Sequence, residues 1–447
     1  RDDLVTGVQT CALPIFLMQS KWRRYLIVST MILFLGGCAA YMLDTAQNDL
    51  RNSFATGDFL GTVELVNNFQ TTGVYEGKDA VLMNLEMGSA NHFAGNYRES
   101  NQYFENAEYE IEDLYTKSIS RAIKSFLVND NILAYDGEDY EDVYLNAFKT
   151  LNYIHLGDLE AALVESRRIS YKLGQLNIKY NDIVSALSEA DTSKVDEGKW
   201  HSGETNIQNS AMGHYLSTIL YAKTGKLDDA RISYNNLIKS YGDQPSLARD
   251  NTPTSDELET LMNPNSYNVL VKVFSGRSPT KKQNDIRLYF DEIDTYLKYS
   301  LPELQLYNSS VSSIRVSVNG NKQSEMLKTI EHLDLVAQEV YKVKEPIIYA
   351  RTIVRASLKA AATNAASKEI EEENELLEQA FNFLGKVAQE ATEKADLRSW
   401  QTMPGKSHGI VLKLPNGVHT VEIEYLASNG LVLHSEIQEV EIGRAHV

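Results

Sequence analysis

Leu151-Asn-Tyr-Ile-His-Leu-Gly157-Asp-Leu159-Glu-Ala-Ala162-Leu-Val-Glu-Ser-Arg-Arg168 reads as two helices meeting at a glycine. The pattern is a helix, a glycine, an acidic or polar residue, a large apolar residue, then a second helix. It recurs at Thr-Gly57-Asp-Phe59, Ala-Gly95-Asn-Tyr97 and Thr-Gly225-Lys-Leu227. A glycine suits such a junction because it ends a helix in a left-handed conformation that side chains resist. Small residues after the turn, Ala162 and Ala230, let the paired helices approach closely. No proline occurs from residue 15 to residue 244. Proline costs roughly 3 kcal/mol inside a helix, so this absence fits an all-helical region over 38–248.

The flanks of these turns follow tetratricopeptide spacing. Met87-Gly88 precedes Gly95, with Phe104 and Ala107 after it; Tyr153 precedes Gly157; Tyr221 precedes Gly225, with Ala230 and Tyr234 after it. The pair at Gly57 fits least well, since Thr62 stands where a small apolar residue is expected. Turn spacings of 38, 62 and 68 residues imply four repeats, with room for two degenerate ones. An irregular helical bundle with glycine turns is the plainer alternative. A stacked array leaves a concave surface of the kind that binds extended peptides or proteins. The acidic run Tyr135-Asp-Gly-Glu-Asp-Tyr-Glu-Asp142 lacks the spaced oxygen ligands of a calcium loop and reads as helix-start charge.

The character changes after Pro245 and Pro253. Alternation and β-branching predict strands at Tyr267–Phe274, Asp285–Phe290 and Ser312–Val318, the last ending at Asn319-Gly320. The Ala-, Glu- and Lys-rich stretch 324–396 predicts two or three helices, interrupted at Pro346, with Glu369, Glu371, Glu372 and Glu373 on a solvated face. Strands resume at Gly409–Leu414, turn at Pro415-Asn416-Gly417, and continue over Val418–Leu426 and Leu431–Val440. The fold class expected is α+β: a tetratricopeptide-like helical array, then a β-sandwich-like domain over 262–441 with a helical insertion at 324–396. Asp396, Arg398 and Trp400 form a surface or junction motif. Either the tryptophan is offered to a sugar face, or it plugs the meeting of helix and sheet.

The ends carry a different message. Residues 1–17 and 442–447 (the similarity starts at Glu441) resemble translated sequencing-adapter strings and are set aside from the fold. Lys21, Arg23 and Arg24 followed by the apolar run Tyr25–Leu35 make an export leader over 18–37, too short to span a bilayer, which needs about 20 apolar residues. It ends in Leu35-Gly36-Gly37-Cys38, which resembles the lipobox of bacterial lipoproteins. That resemblance implies cleavage before Cys38, a diacylglyceryl group on its sulfur and an acylated amine; no other cofactor and no metal site is expected. Ala39 and Ala40 follow where a retention signal would carry Asp, which points to the outer membrane, facing the periplasm. With Cys11 in the adapter-like string, Cys38 has no partner for a disulfide.

The net charge of −18 argues against nucleic acid as a partner. No Gly-rich phosphate loop, Gly-x-Ser-x-Gly elbow or His-Glu-x-x-His helix is present, and the histidines, His155 and His214 among them, are scattered. The chain is therefore not expected to be an enzyme. Tyr135–Glu141, Leu151–Asp158, Ala162–Arg168, Ala395–Trp400 and Pro404 together resemble a family of Gram-negative tetratricopeptide-repeat outer-membrane lipoproteins. Its members often lie near lipoproteins that activate penicillin-binding proteins, which implies envelope or peptidoglycan work, but the resemblance brings no binding residue with it. Three roles follow in order: a scaffold for a protein partner in the periplasm, a glycan-binding module in the β-rich part, and a peptidoglycan-cleaving enzyme. Replacing Cys38 by Ser should abolish palmitate labelling and move the chain out of the membrane fraction; a labelled, membrane-bound variant would refute the anchor.

Overall fold

The computed structural model describes Leu43 and residues 45–121, 130–190, 200–244, 251–290, 295–320, 323–371 and 393–443. Leu35, Gly36, Gly37 and Cys38, with the leader at 18–37, the string at 1–17, Pro245, Glu372, Glu373 and residues 444–447, lie outside them. The chain is mixed α and β, with helices filling the N-terminal part and antiparallel strands entering toward the C-terminus.

Four helix pairs come first. A helix over residues 45–55 (α1) turns at Gly57 into α2 (Phe59–Thr71). Then α3 (Ala80–Phe93) turns at Gly95 into α4 (Tyr97–Arg121), α5 (Asp139–His155) at Gly157 into α6 (Leu159–Ala190), and α7 (Ala211–Lys223) at Gly225 into α8 (Leu227–Asp243). The four glycines have φ between +76° and +81°. In each turn the next residue's amide reaches five residues back: Asp58 to Ser53, Asn96 to Asn91, Asp158 to Tyr153 and Lys226 to Tyr221, at 2.9–3.2 Å. That closure requires a left-handed residue before the donor. Asp58 and Asp158 then cap the following helix, accepting from Gly61 N and Ala161 N at 3.0 Å.

The long sequence intervals left room for two more pairs, but four are seen among the described residues. Part of the extra length goes into α4 and α6, which run to 25 and 32 residues. The second and third pairs are pinned together by a buried polar knot. Glu108 of α4 takes Lys149 of α5 at 2.8 Å and Lys172 of α6 at 2.7 Å, while Asn146 donates to Glu108 and Glu165. Lys149 and Lys172 pull the Glu108 carboxyl well below the ordinary range, outweighing the burial that would raise it.

After a short helix α9 (Ser255–Glu259) come β1 (Val269–Ser275), β2 (Thr280–Phe290), β3 (Thr295–Gln305), β4 (Ser313–Val318), β5 (Gln323–Met326) and β6 (Lys328–His332). Helix α10 (Leu333–Glu371) follows, and the next elements among the described residues are β7 (Lys406–Leu412), β8 (Gly417–Leu426) and β9 (Val432–Ile442). They form a three-stranded sheet in the order β1-β7-β6, a β2-β3 hairpin, and a four-stranded sheet in the order β5-β4-β8-β9. Val271, Val273 and Leu412 of the first sheet meet Ile314, Val316 and Ile423 of the third in one apolar cluster.

Two expectations for 324–396 are corrected. Residues 324–326 and 328–332 are strand, and Pro346 does not interrupt the helix that follows. Proline cannot donate to the Lys342 carbonyl one turn back. At that point Gly203 N donates instead to the Val343 carbonyl at 3.0 Å. Only glycine can come so close, because a Cβ at 203 would lie 2.0 Å from the Lys342 carbonyl oxygen. β3, which contains Pro302, was not anticipated either. Glu369 and Glu371 do lie in α10. β9 continues through Glu441 and Ile442, paired with Val418 and Gly417.

The main apolar core ignores the boundary between helical and strand-bearing stretches. It runs from Ala46 and Leu50 through Leu85, Phe148 and Leu216 to Val336, Val340 and Ile347 of α10 and on to Trp400. Gly157→Ala should cost roughly 1 kcal/mol in urea unfolding, the price of a left-handed alanine. Gly174→Ala, inside α6 with only the Gln208 carbonyl at 3.9 Å, should be neutral or stabilising by up to about 1 kcal/mol. Equal effects at the two sites would contradict the turn assignment.

Candidate functional site

The first helices of successive pairs, α3, α5 and α7, turn carboxylates and hydroxyls toward the C-terminal part of the chain. Glu86 of α3 accepts from Gln401 N at 2.6 Å, Thr402 N at 3.2 Å and the Thr402 hydroxyl at 2.6 Å. Glu141 of α5 accepts from Trp400 N at 2.6 Å, Glu138 N at 3.0 Å and the Tyr135 hydroxyl at 2.7 Å. At α7 the direction reverses: Glu331 of β6 accepts from the Ser210 hydroxyl at 2.7 Å and from Ala211 N at 2.8 Å, at the start of the helix. Two of the helical pairs thus hold residues 400–402 of their own chain by backbone amides.

Both glutamates are fully buried. Burial pushes the Glu86 carboxyl up to about 8, against the lowering effect of Thr402 and Gln401. Burial, helped by Glu138, pushes Glu141 up to about 7, against the amides of Trp400 and Glu138. An unpaired buried carboxylate is costly, and backbone amides are the partners that offset the cost here.

The motif Asp396, Arg398, Trp400 is brought together as a junction, not a surface. Trp400 is 1% exposed and packs against Phe104 and Phe148 with ring centroids 5.7 and 5.6 Å away. Its indole N–H donates to Thr402 Oγ1 at 2.9 Å. A ring so enclosed has no face to offer a sugar, which corrects the surface alternative for this residue. Arg398 joins three pieces of chain: Asp79 before α3 at 2.9 Å, Asp396 at 2.7 Å, and the carbonyls of Asp130 and Leu133 at 3.0 Å. Burial would raise the Asp396 carboxyl, but Lys281 and Arg398 reverse this and hold it at about 2.

Gly57, Gly95, Gly157 and Gly225 lie at the hairpin turns, away from this junction; Cys38, Leu35, Gly36 and Gly37 lie outside the described residues. Asp79, Glu86 and Glu141 were missed. Glu86 carried a signal, since it interrupts an apolar helix face that continues through Leu82, Leu85 and Ala90. Glu141 was hidden in an acidic run read as helix-start charge. That run does open α5, with Glu138 and Asp139 at its start, yet Glu141 is sealed from water.

Two other features have chemistry. Lys272, whose ammonium burial pushes down to about 7, donates to Ser407. A lysine beside a serine hydroxyl is a nucleophile's arrangement, but Ser407 is fully buried. The second is a cavity of about 240 Å³ bounded by α4, α6, α10, the β2-β3 hairpin and the loop at 130–139. No group of three or more His, Cys, Asp or Glu among the described residues could hold a metal ion. No helix among them is long and apolar enough to cross a membrane.

No family model, curated protein or solved structure matches the chain.

The Glu86 carboxyl holds its proton more tightly folded, at about 8, than at its ordinary value of 4.5. Its contribution to stability is therefore complete below about pH 4.5 and is lost as the pH rises toward 8. Glu86→Gln removes that dependence, so in urea unfolding the variant should gain on the parent between pH 5 and pH 8. A difference that does not vary with pH would mean Glu86 is ionised throughout.

Proposed function

We propose that this chain is a lipid-anchored scaffold of the outer membrane, facing the periplasm, that binds a protein partner through tetratricopeptide-like helix pairs in envelope or peptidoglycan assembly. In this reading the helical part is a short tetratricopeptide-like array, and the strand-bearing part is a small β-sandwich with α10 as its helical insertion. One observation carries it: four Gly-closed helix pairs, two of which grip a backbone segment through the buried Glu86 and Glu141 of their first helices. That is the way such an array would hold a peptide, and here the peptide is residues 395–405 of the same chain. The lipobox at Cys38 supplies the tether.

Since the inner side is taken, the partner is expected on the outward helices. Tyr109 of α4, Tyr171 and Ile178 of α6 and Ile232 of α8 are each more than half exposed. Large exposed apolar side chains on successive parallel elements are what protein interfaces use. A second reading keeps one specific support. Tyr289 and Tyr296 at the end of the β2-β3 hairpin are exposed, with ring centroids 5.0 Å apart, and tyrosines so placed suit a glycan. The buried Lys272–Ser407 pair gives a wall-cleaving enzyme no accessible nucleophile.

A photo-crosslinking residue placed at Tyr171 or Ile232 in intact cells should give one discrete protein adduct, which disappears when Cys38→Ser frees the chain. The same residue at Gln401 should give none. Adducts from 401 but not from the outer helices would overturn the assignment, and peptidoglycan retention lost in Tyr289→Ala with Tyr296→Ala would favour the glycan reading instead.

A further inference from the structure

β9 is the outermost strand of the four-stranded sheet, whose order is β5-β4-β8-β9. Its inner side pairs with β8 along its length, from Ile442 opposite Gly417 to Val432 opposite Leu426. Among the described residues no strand pairs with its outer side. A strand edge presents a row of amides and carbonyls that a further strand can take up. The opposite edge, β5, is four residues long, whereas β9 has eleven.

β9 also overhangs the core. Val421 and Ile423 of β8 are buried in the apolar cluster between the sheets, while Gln438 and Glu436 opposite them on β9 are exposed. On the other face of the strand Ile437 is 65% exposed. Edges are commonly guarded by lysine, by proline or by a bulge that turns other strands away. Between Val432 and Val440 there is no lysine and no proline, and the one register shift lies at the Leu426 end.

Charge decides what this edge can accept. From Gly417 to Ile442 the chain carries five glutamates and no lysine, arginine or aspartate. Glu424 is matched by Arg315 of β4 at 2.7 Å. Glu436 and Glu439 have no such match. Glu436 meets the exposed His434 ring at 3.4 Å and the Tyr425 hydroxyl at 3.2 Å, and Glu439 has no ion pair among the described residues. The edge thus offers negative charge beside a bare isoleucine. A second copy would bring the same glutamates and no cation, and like charges across a strand pair are destabilising.

We infer that β9 accepts an additional strand from a protein partner, an extended segment with basic residues on either side of an apolar one. The alternation of a strand fixes the pattern. Positions opposite Glu436 and Gln438 share one face, and those opposite Ile437 and Glu439 share the other. A strand laid antiparallel along them is complementary when it reads basic, polar, apolar, basic. In such recognition the main-chain hydrogen bonds supply affinity and the alternate side chains supply the choice. The contact uses neither the outward helices nor the lipid anchor, so it and the scaffold reading can fail separately.

Isothermal titration of the full-length, non-acylated chain (Cys38→Ser) at low salt tests it with three ten-residue peptides. The first carries Lys-Thr-Val-Lys between threonine flanks, the second has glutamate for both lysines, and the third is the first with its backbone amides N-methylated. The lysine peptide should bind at least about fivefold more tightly than the glutamate peptide, the margin of two cross-strand charge pairs. N-methylation should weaken it at least about tenfold, since several main-chain hydrogen bonds are lost. Glu436→Lys combined with Glu439→Lys should reverse the order of the lysine and glutamate peptides, which a misfolded variant could not do. Equal binding of those two peptides, undiminished binding of the N-methylated one, or no lysine-peptide binding at millimolar concentration overturns the inference. So does a dimer of the parent chain that Ile437→Lys dissolves, which would give the edge to a second copy.

Discussion

The structure depends on two buried carboxylates having backbone amides to bind. Glu86 and Glu141 lie buried on α3 and α5, where a carboxyl group without hydrogen-bond partners would be costly. The amides of Trp400, Gln401 and Thr402 meet that need. Trp400 completes the exchange, filling the space beside Phe104 and Phe148 that the helices alone would leave open. Helices and inserted stretch are therefore complementary parts of one interior, and the apolar core runs through both.

How much of this the sequence disclosed follows from the range of each interaction. The four glycine turns were legible because everything that makes them is local: a left-handed residue, a carbonyl five residues back and, at Asp58 and Asp158, an aspartate capping the next helix. β1, β4, β7 and β8 were legible from alternation. β3 was not, since Pro302 argues against a strand, and here it sits in a two-stranded ribbon where its missing donor costs little. Pro346 misled in the other direction. A proline normally ends a helix, but here Gly203, 143 residues earlier, approaches the exposed carbonyls, and nothing local announces that. The clamp was least legible of all, because a glutamate reads as solvated until its partner, more than 250 residues away, is known.

Occupation of the inner side by residues 395–405 changes what a helical array of this kind offers. The side of α3 and α5 that meets these residues is spent on joining distant parts of the chain, and Arg398 adds a further tie between the loop at 130–133 and the start of α3. What stays open is the outward side of α4, α6 and α8, the exposed tyrosines of the β2-β3 hairpin, and the cavity beneath α10. These are three separate surfaces of different chemistry.

The clamp also dictates an order of events. Trp400 and Glu141 are 259 positions apart, and Gln401 and Glu86 are 315 apart. A ribosome delivers α3 and α5 long before the residues that neutralise their interior, so the early helices must wait with acidic gaps in them. Contacts of such separation slow folding, since a long loop must close before any of them is gained. Maturation is thereby tied to arrival of residues 400–402. A chain that stops short of residue 400 would lack the piece that closes its early helices.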